Sequence, residues 1–299
     1  MATIIVFGGT GFVGSGIVKK LVGHHRVKVF TRKTKPSSKN IPGVEYISGN
    51  LFNEFDVENA MKNCDVVINA AQFDNAPFEN PRKGLTYEKV DGEGTENIVR
   101  AAKKMSIPRI LYISGAGVEE GKTEPWFRAK LRAEKAIKNS GITYTIFRPS
   151  WIYGEHDKSL NRMIPMVRYS PFIFMLGKGY RVQPIYIDDV GLIVSASIDS
   201  PKTYNQIYEL GGPEALTIQE ILHTVSLILN KKRIYIHVPK KLAGILFSIL
   251  EKVPGVPVTR AALDFITMNV VISEKSQKKV ENDYNFQTTS LKKGLKKYL

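Results

Sequence analysis

The chain predicts an α/β fold built on a doubly wound parallel sheet, and three observations carry that expectation. Short apolar runs alternate with segments of helical character from Thr3 to Pro149, the pattern left by βαβ crossovers. A glycine-rich turn, FGGTGFVG at Phe7 to Gly14, separates the first apolar run from the first helical one. The 299 residues, 43% of them hydrophobic, suffice for a full core with a smaller attachment. The expected division is a nucleotide-binding core over residues 1–150 and a C-terminal substrate or partner lobe over 151–299, partly interleaved with the core.

TIIVF, from Thr3, is the first strand, since an unbroken apolar run suits a strand covered on both faces. VGSGIVKKLV is the first helix, RVKVF and VEYIS are the second and third strands, and VENAMKN is helical. DVVINAA, the helix GTENIVRAAKKM, the strand RILYIS, a helix beginning near Pro125 and the strand TYTIFRP continue the alternation. After Arg148 the pattern turns irregular, through PMVRYSPFIFMLGKGYRVQPIYIDDV, before a helix LTIQEILHTVSLILN and a strand RIYIHVP. This is the smaller lobe. The lysine-rich ending, EKSQKKV and LKKGLKKYL, reads as solvated helix or tail.

A formal charge of +15 fits a lysine-rich solvated surface that favours acidic ligands or anionic lipid. No zinc-ligand spacing, helix-turn-helix or aromatic RNA-binding motif accompanies it, so a nucleic-acid partner is not expected. The five histidines show no metal spacing, and no metal is expected. The single Cys64 excludes an internal disulfide framework and suits a reducing, cytoplasmic setting. No signal-peptide pattern precedes Thr3. The apolar run LAGILFSIL, Leu242 to Leu250, is too short to span a bilayer, so any membrane contact is peripheral. Its setting, Lys240 to Pro257, reads either as a core or lid helix or as a docking surface for lipid or a protein partner.

The glycine turn carries the chemistry. Gly9, Gly11 and Gly14 satisfy one dinucleotide spacing and Gly8, Gly11 and Gly14 another, with Thr10, Phe12 and Val13 between them. Both give a tight turn, bare backbone for a pyrophosphate and close packing of helix on sheet, and the helix N-terminus offers amides to the phosphates. At the end of the second strand, Thr31, Arg32 and Lys33 stand where an NAD site carries an acid. Arginine pairs with a 2′-phosphate, so NADP(H) is expected over NAD(H). Asp188 and Asp189 read as caps of the helix that follows them.

FGGTGFVG, INAA at Ile68 to Ala71, YISGAG at Tyr112 to Gly117, the Lys130 helix, FRPSWIYG at Phe147 to Gly154 and QPIYIDDV at Gln183 to Val190 occur in an order that resembles the extended and atypical short-chain dehydrogenase/reductases. These have a Rossmann-type core and include the nucleotide-sugar epimerase/dehydratases. The likeness is nearest to the nucleotide-binding accessory subunit of respiratory complex I and its free-standing prokaryotic relatives. The resemblance implies that Gly8, Gly11 and Gly14 wrap the pyrophosphate, that Arg32 meets the ribose phosphate, and that Asn50, where an aspartate is usual, lies near the adenine beside Leu51. It implies further that Ala70 and Ala71 line the cofactor, that Ser114 points at a reacting carbonyl or hydroxyl, and that Lys130 holds the nicotinamide ribose. Pro149 and Ser150 would lie near the nicotinamide.

A second position, besides Asn50, departs from the family. A tyrosine one helical turn before the lysine handles the substrate proton in catalytic members, and this chain has Trp126, whose indole does not titrate usefully. Two readings stay open. One is an NADP-binding protein of weak or absent catalysis, docked on a partner or membrane. The other is an active NADP-dependent oxidoreductase or nucleotide-sugar epimerase/dehydratase with another proton donor, such as Tyr112, Tyr153 or water. On that second reading Arg162, Arg168, Lys178 and Arg181 face an anionic substrate.

Overall fold

In the computed structural model, which describes residues 1–32, 40–73, 76, 78–176, 179–239 and 269–299, the strands are β1 (Thr3–Phe7), β2 (Arg26–Thr31), β3 (Val44–Ser48), β4 (Val66–Asn69), β5 (Arg109–Ile113), β6 (Thr143–Pro149) and β7 (Trp151–Tyr153). There follow β8 (Phe172–Leu176), β9 (Arg181–Val182), β10 (Pro184–Tyr186), β11 (Gln206–Leu210), β12 (Leu216–Thr217) and β13 (Ile234–Val238). The α-helices are α1 (Phe12–Leu21), α2 (Glu54–Met61), α3 (Gly94–Lys104), α4 (Pro125–Lys138), α5 (Leu160–Tyr169), α6 (Ile187–Ala196), α7 (Ile218–Ile228), α8 (Glu274–Tyr284) and α9 (Leu291–Leu295).

Seven strands form one sheet in the order β11-β6-β5-β4-β1-β2-β3, each neighbouring pair parallel. The unbroken apolar runs explain their places. β4 and β5 are buried at every residue, whereas β3, at the edge, alternates with exposed positions. One face, with Ile5, Phe7, Val67, Ile110, Tyr112 and Ile146, packs against the apolar sides of α2, α3 and α4. The alternate residues face the other way, because side chains of a strand have period two, and there α1 packs with α6. The strand order reverses at β1, so the carboxyl ends of β1 and β4 diverge around the switch point of a Rossmann-type fold.

The chain divides into two compact units. The first comprises Met1–Pro149, Ile187–Leu210 and Glu274–Phe286, so later segments return to the sheet. The second comprises Ser150–Tyr186, Gly211–Ser273 and Gln287–Leu299. It contains three small strand pairs, parallel β7–β10 and β8–β13 and antiparallel β9–β12. Asp188 and Asp189 fall in the first turn of α6, where a negative side chain suits the helix dipole. No helix among the described residues is long and apolar enough to cross a membrane. Lys33, Lys178 and the segment Lys240 to Pro257, with its Leu242 to Leu250 run, lie outside the described residues.

Candidate functional site

The glycine turn leaves β1 at its carboxyl end and folds onto the start of α1. Gly8 has a left-handed φ of +78°, and a Cβ there would lie 2.4 Å from the Ala70 carbonyl oxygen. A Cβ on Gly14 would lie 2.2 Å from the Gly8 carbonyl oxygen. Only glycine closes this turn. Gly11 donates to the Gly8 carbonyl at 2.9 Å and caps α1 with no side-chain bond. No acidic residue lies in the first turn of α1, so the amides of Phe12, Val13 and Gly14 meet no carboxylate on their own helix, and the positive helix end suits an anion. Gly9 is buried, while Thr10 and Gly11 are exposed at the tip. The cradle fits a pyrophosphate.

The neighbouring strand ends bring further residues to the same edge of the sheet. Ala70 donates to the Phe7 carbonyl at 2.9 Å, and Ala71 donates to Asn69 Oδ1 at 3.0 Å. Asn69 in turn donates to Thr95, 2.9 Å away, which holds the loop after β4 against α3. Arg32 follows β2 directly and is exposed. Asn50 follows β3, with its side chain accepting from the Phe52 amide at 3.0 Å and its own amide donating to Asp56 at 2.8 Å. Leu51, next to it, is half-buried. The loops bearing the glycine turn, Arg32, Asn50 and Ala70 thus leave the same, carboxyl edge of the sheet.

The β5 and α4 side is built differently from the family pattern. α4 turns Lys130 and Glu134 inward together, since residues four apart share a helix face. Glu134, fully buried, accepts the Ser114 hydroxyl at 2.7 Å and a paired contact from Arg148 at 2.8 and 2.6 Å. Lys130 is not in water. Its Nζ lies 2.9 Å from Asp91 Oδ1, donates to the Ile113 carbonyl at 3.1 Å and sits 5.1 Å from the centre of the Tyr112 ring. Asp91 comes from a π-helical stretch, Glu88–Glu93, leading into α3.

Burial works against the Lys130 ammonium, but Tyr112 and Asp91 outweigh it and raise its pKa above the ordinary lysine value. Burial also raises the Asp91 carboxyl, opposed by Lys130. The two directions compete for one proton. The ammonium has a carboxylate, a carbonyl and an aromatic face around it, so the pair is held as an ion pair.

Trp126 is half-buried and packs against the cluster of Phe73, Tyr87 and Ala129, with its ring 4.7 Å from that of Phe127. A Cβ on Gly115 would lie 2.3 Å from its Cη2 and 2.4 Å from its Cζ2. The indole fills the space that a side chain after Ser114 would need. The alternative tyrosines are both enclosed. Tyr112 is 1% exposed and burial pushes its phenol up to about 12, and Tyr153, fully buried, donates to the Ser290 carbonyl at 3.3 Å. Pro149 is buried and its carbonyl accepts from the Ala116 amide at 2.8 Å. The Ser150 hydroxyl is engaged by Val270 and the Gln183 amide. Arg162 and Arg168 are exposed, while Arg181 donates to the Ala215 carbonyl at 2.7 Å and lies 3.4 Å from Glu220.

Sequence reasoning missed Asp91, Glu134 and Gly115. Glu134 had a signal, four residues after Lys130, whereas the other two are joined to their partners only by the fold.

A Rossmann-type sheet with a glycine cradle at its switch point defines a dinucleotide-binding protein, and residues 8–166 match the NAD(P)H-binding family. The chain belongs to that family. It is similar to the mitochondrial NADH-ubiquinone oxidoreductase 40 kDa subunit of Neurospora crassa, 25% identical over 87% of this chain and 68% of that one. It is also similar to the mitochondrial NADH dehydrogenase [ubiquinone] 1 alpha subcomplex subunit 9 of Arabidopsis thaliana, 27% identical over 80% of this chain and 60% of that one. The chain therefore spans about three fifths to two thirds of these relatives. In fold it is similar to the UDP-glucose 4-epimerase of Thermus thermophilus in complex with NAD, with a TM-score of 0.73, 17% identity and coverage of 98% and 96% of the two chains. The resemblance to atypical short-chain dehydrogenase/reductases holds.

Proposed function

We propose that this chain holds NADP(H) in preference to NAD(H) and turns over ordinary carbonyl substrates weakly or not at all, acting as a nucleotide-binding accessory protein docked on a partner. The observation that carries the reading is the Trp126 region. The position that needs a titratable hydroxyl holds an indole seated on Gly115, Ser114 is committed to Glu134, and Lys130 is committed to Asp91. All three polar roles of a short-chain dehydrogenase site are thereby replaced or diverted.

On this reading the turn from Gly8 to Gly14 receives the pyrophosphate, Arg32 and Lys33 the 2′-phosphate, Asn50 and Leu51 the adenine, and Ala70 and Ala71 the adjoining ribose. Pro149 and Ser150 border the nicotinamide. A bound nicotinamide supplies hydride transfer. The chain's own residues position it, but the indole of Trp126 supplies no titratable hydroxyl where the family's tyrosine stands, and general acid/base help is commonly worth about 10²–10⁴-fold. Similarity to subunits of NADH dehydrogenase supports a docked role.

The test has two arms. Titration of NADPH and NADH should show NADPH binding about tenfold or more tightly, the scale of two charge-assisted bonds at a partly exposed site. NADPH oxidation is then followed with aldehydes, ketones, quinones and sugar nucleotides. Turnover of roughly 1 s⁻¹ or more would overturn the non-catalytic reading, and equal affinities would overturn the cofactor preference.

A further inference from the structure

The strand pair β8–β13 carries an apolar block on its outer face. Phe172 is in register with Ile234 and Phe174 with Ile236, and the four are 48%, 58%, 65% and 38% exposed respectively. Register partners in a parallel pair project to the same side, so the four side chains form one contiguous patch. The intervening Ile173 and Met175 are buried on the other side, which fixes the orientation of the pair.

Cations collect at one end of this patch. Because the strands are parallel, the segments leading into them lie together, Arg168 and the strongly exposed Tyr169 before β8 and Lys231, Lys232 and Arg233 before β13. Arg233 ties one segment to the other, donating to the Val167 carbonyl at 2.6 Å and the Arg168 carbonyl at 3.0 Å. Arg168, Lys231 and Lys232 are exposed. The sequence has no carboxylate between Asp157 and Asp188, and none after Glu220 as far as Pro239.

We infer that this face docks on an anionic lipid surface, with Phe172, Phe174, Ile234 and Ile236 inserted at the headgroup boundary and Arg168, Lys231 and Lys232 meeting lipid phosphates. The patch is a sheet face with positive charge at one end and no acid in the two sequence segments that carry it, and a bilayer surface supplies both the apolar and the anionic component. A second copy of the chain fits less well. A pairing of two copies through this patch would bring together two chains that each carry a formal charge of +15, whereas a bilayer surface of opposite sign attracts them. The inference does not rest on the nucleotide reading.

Flotation of the full chain with vesicles of phosphatidylcholine alone, and of phosphatidylcholine mixed with phosphatidylglycerol, tests it. The native protein should float only with the anionic vesicles, and added salt should release it. Lys231→Gln with Lys232→Gln should weaken that binding about tenfold or more, given about 1 kcal/mol for each lysine near such a surface. Phe172→Ser with Phe174→Ser should abolish it while NADPH titration stays unchanged. If the phenylalanine variant does not fold, the lysine pair, which is solvent-exposed, decides the question by itself. Absence of binding, native-like binding by both variants, or equal binding to neutral vesicles would overturn the inference. So would a dimer in size-exclusion chromatography that the phenylalanine substitutions dissolve, since the face would then belong to a second copy.

Discussion

At the scale of single residues, Trp126 and Gly115 form an interlocked pair. The indole lies where a Cβ at 115 would be, 2.3 Å from its nearest ring atom, and an indole on a helix cannot bend away as a lysine tip would. Gly115→Ala should therefore destabilise the protein by about 1–3 kcal/mol through overpacking. The same change in a Trp126→Ala background should cost far less. Chemical denaturation of the four proteins of this cycle measures the coupling, and additive effects would show that the loop after β5 moves freely. Trp126→Tyr alone should bring little catalysis, because Ser114 and Lys130 stay with Glu134 and Asp91.

At the scale of elements, the π-helical stretch before α3 and the inner face of α4 are joined by a buried ion pair, Asp91 and Lys130, with side chains 0% and 6% exposed. Removing one partner leaves a charge in a dry site, so Asp91→Ala should cost about 3–5 kcal/mol. Asp91→Ala with Lys130→Met should recover much of that loss, and urea unfolding compares the two. A loss under about 1 kcal/mol for Asp91→Ala would mean that the pair is not held in the interior. β5 carries the opposite case at its first residue. Arg109 is buried without a carboxylate among the described residues, its Nη2 donating to Thr145, Ser197 and Thr203 at 2.6, 3.0 and 3.0 Å. Its Nε and Nη1 find no hydrogen-bond partner among the described residues, the guanidinium lying 4.5 Å from the centre of the Tyr204 ring, and burial lowers its pKa to about 10. The groups it would leave behind are already satisfied, since Thr145 donates to the Thr203 carbonyl at 2.6 Å and Thr203 to the Ser197 carbonyl at 3.1 Å. Arg109→Met should thus stay within about 1 kcal/mol of the native protein or exceed it, and a loss above about 3 kcal/mol in urea unfolding would refute this.

At the scale of the whole molecule, nucleotide binding and stability are linked. A ligand that binds only the folded chain adds stability that grows with its ratio of concentration to Kd, about 2.7 kcal/mol at a hundredfold ratio. At equal concentrations, NADPH should therefore raise Tm more than NADH, and Arg32→Ala should remove the difference while leaving both ligands able to stabilise the protein. Identical melting curves with the two nucleotides would place Arg32 outside the site.

The sequence by itself determined the parallel sheet and the glycine turn that follows β1. The reason is that apolar runs, helical periods and a glycine at φ +78° are local constraints, each expressed within a few residues. The basic end of β2 was legible in the same way, as a replacement at a known place in a local pattern. What Lys130 does was not legible. The spacing from Trp126 to Lys130 gives the shared helix face, but the partner that turns the ammonium inward comes from a distant stretch whose widened π-helical turn no local pattern announces. Glu134 likewise stood in view at four residues' distance, yet its burial depends on Ser114 and Arg148 arriving from the ends of two other strands. Only the tertiary structure decided these partners, because a buried charge takes its role from whatever the packed sheet and helices set against it.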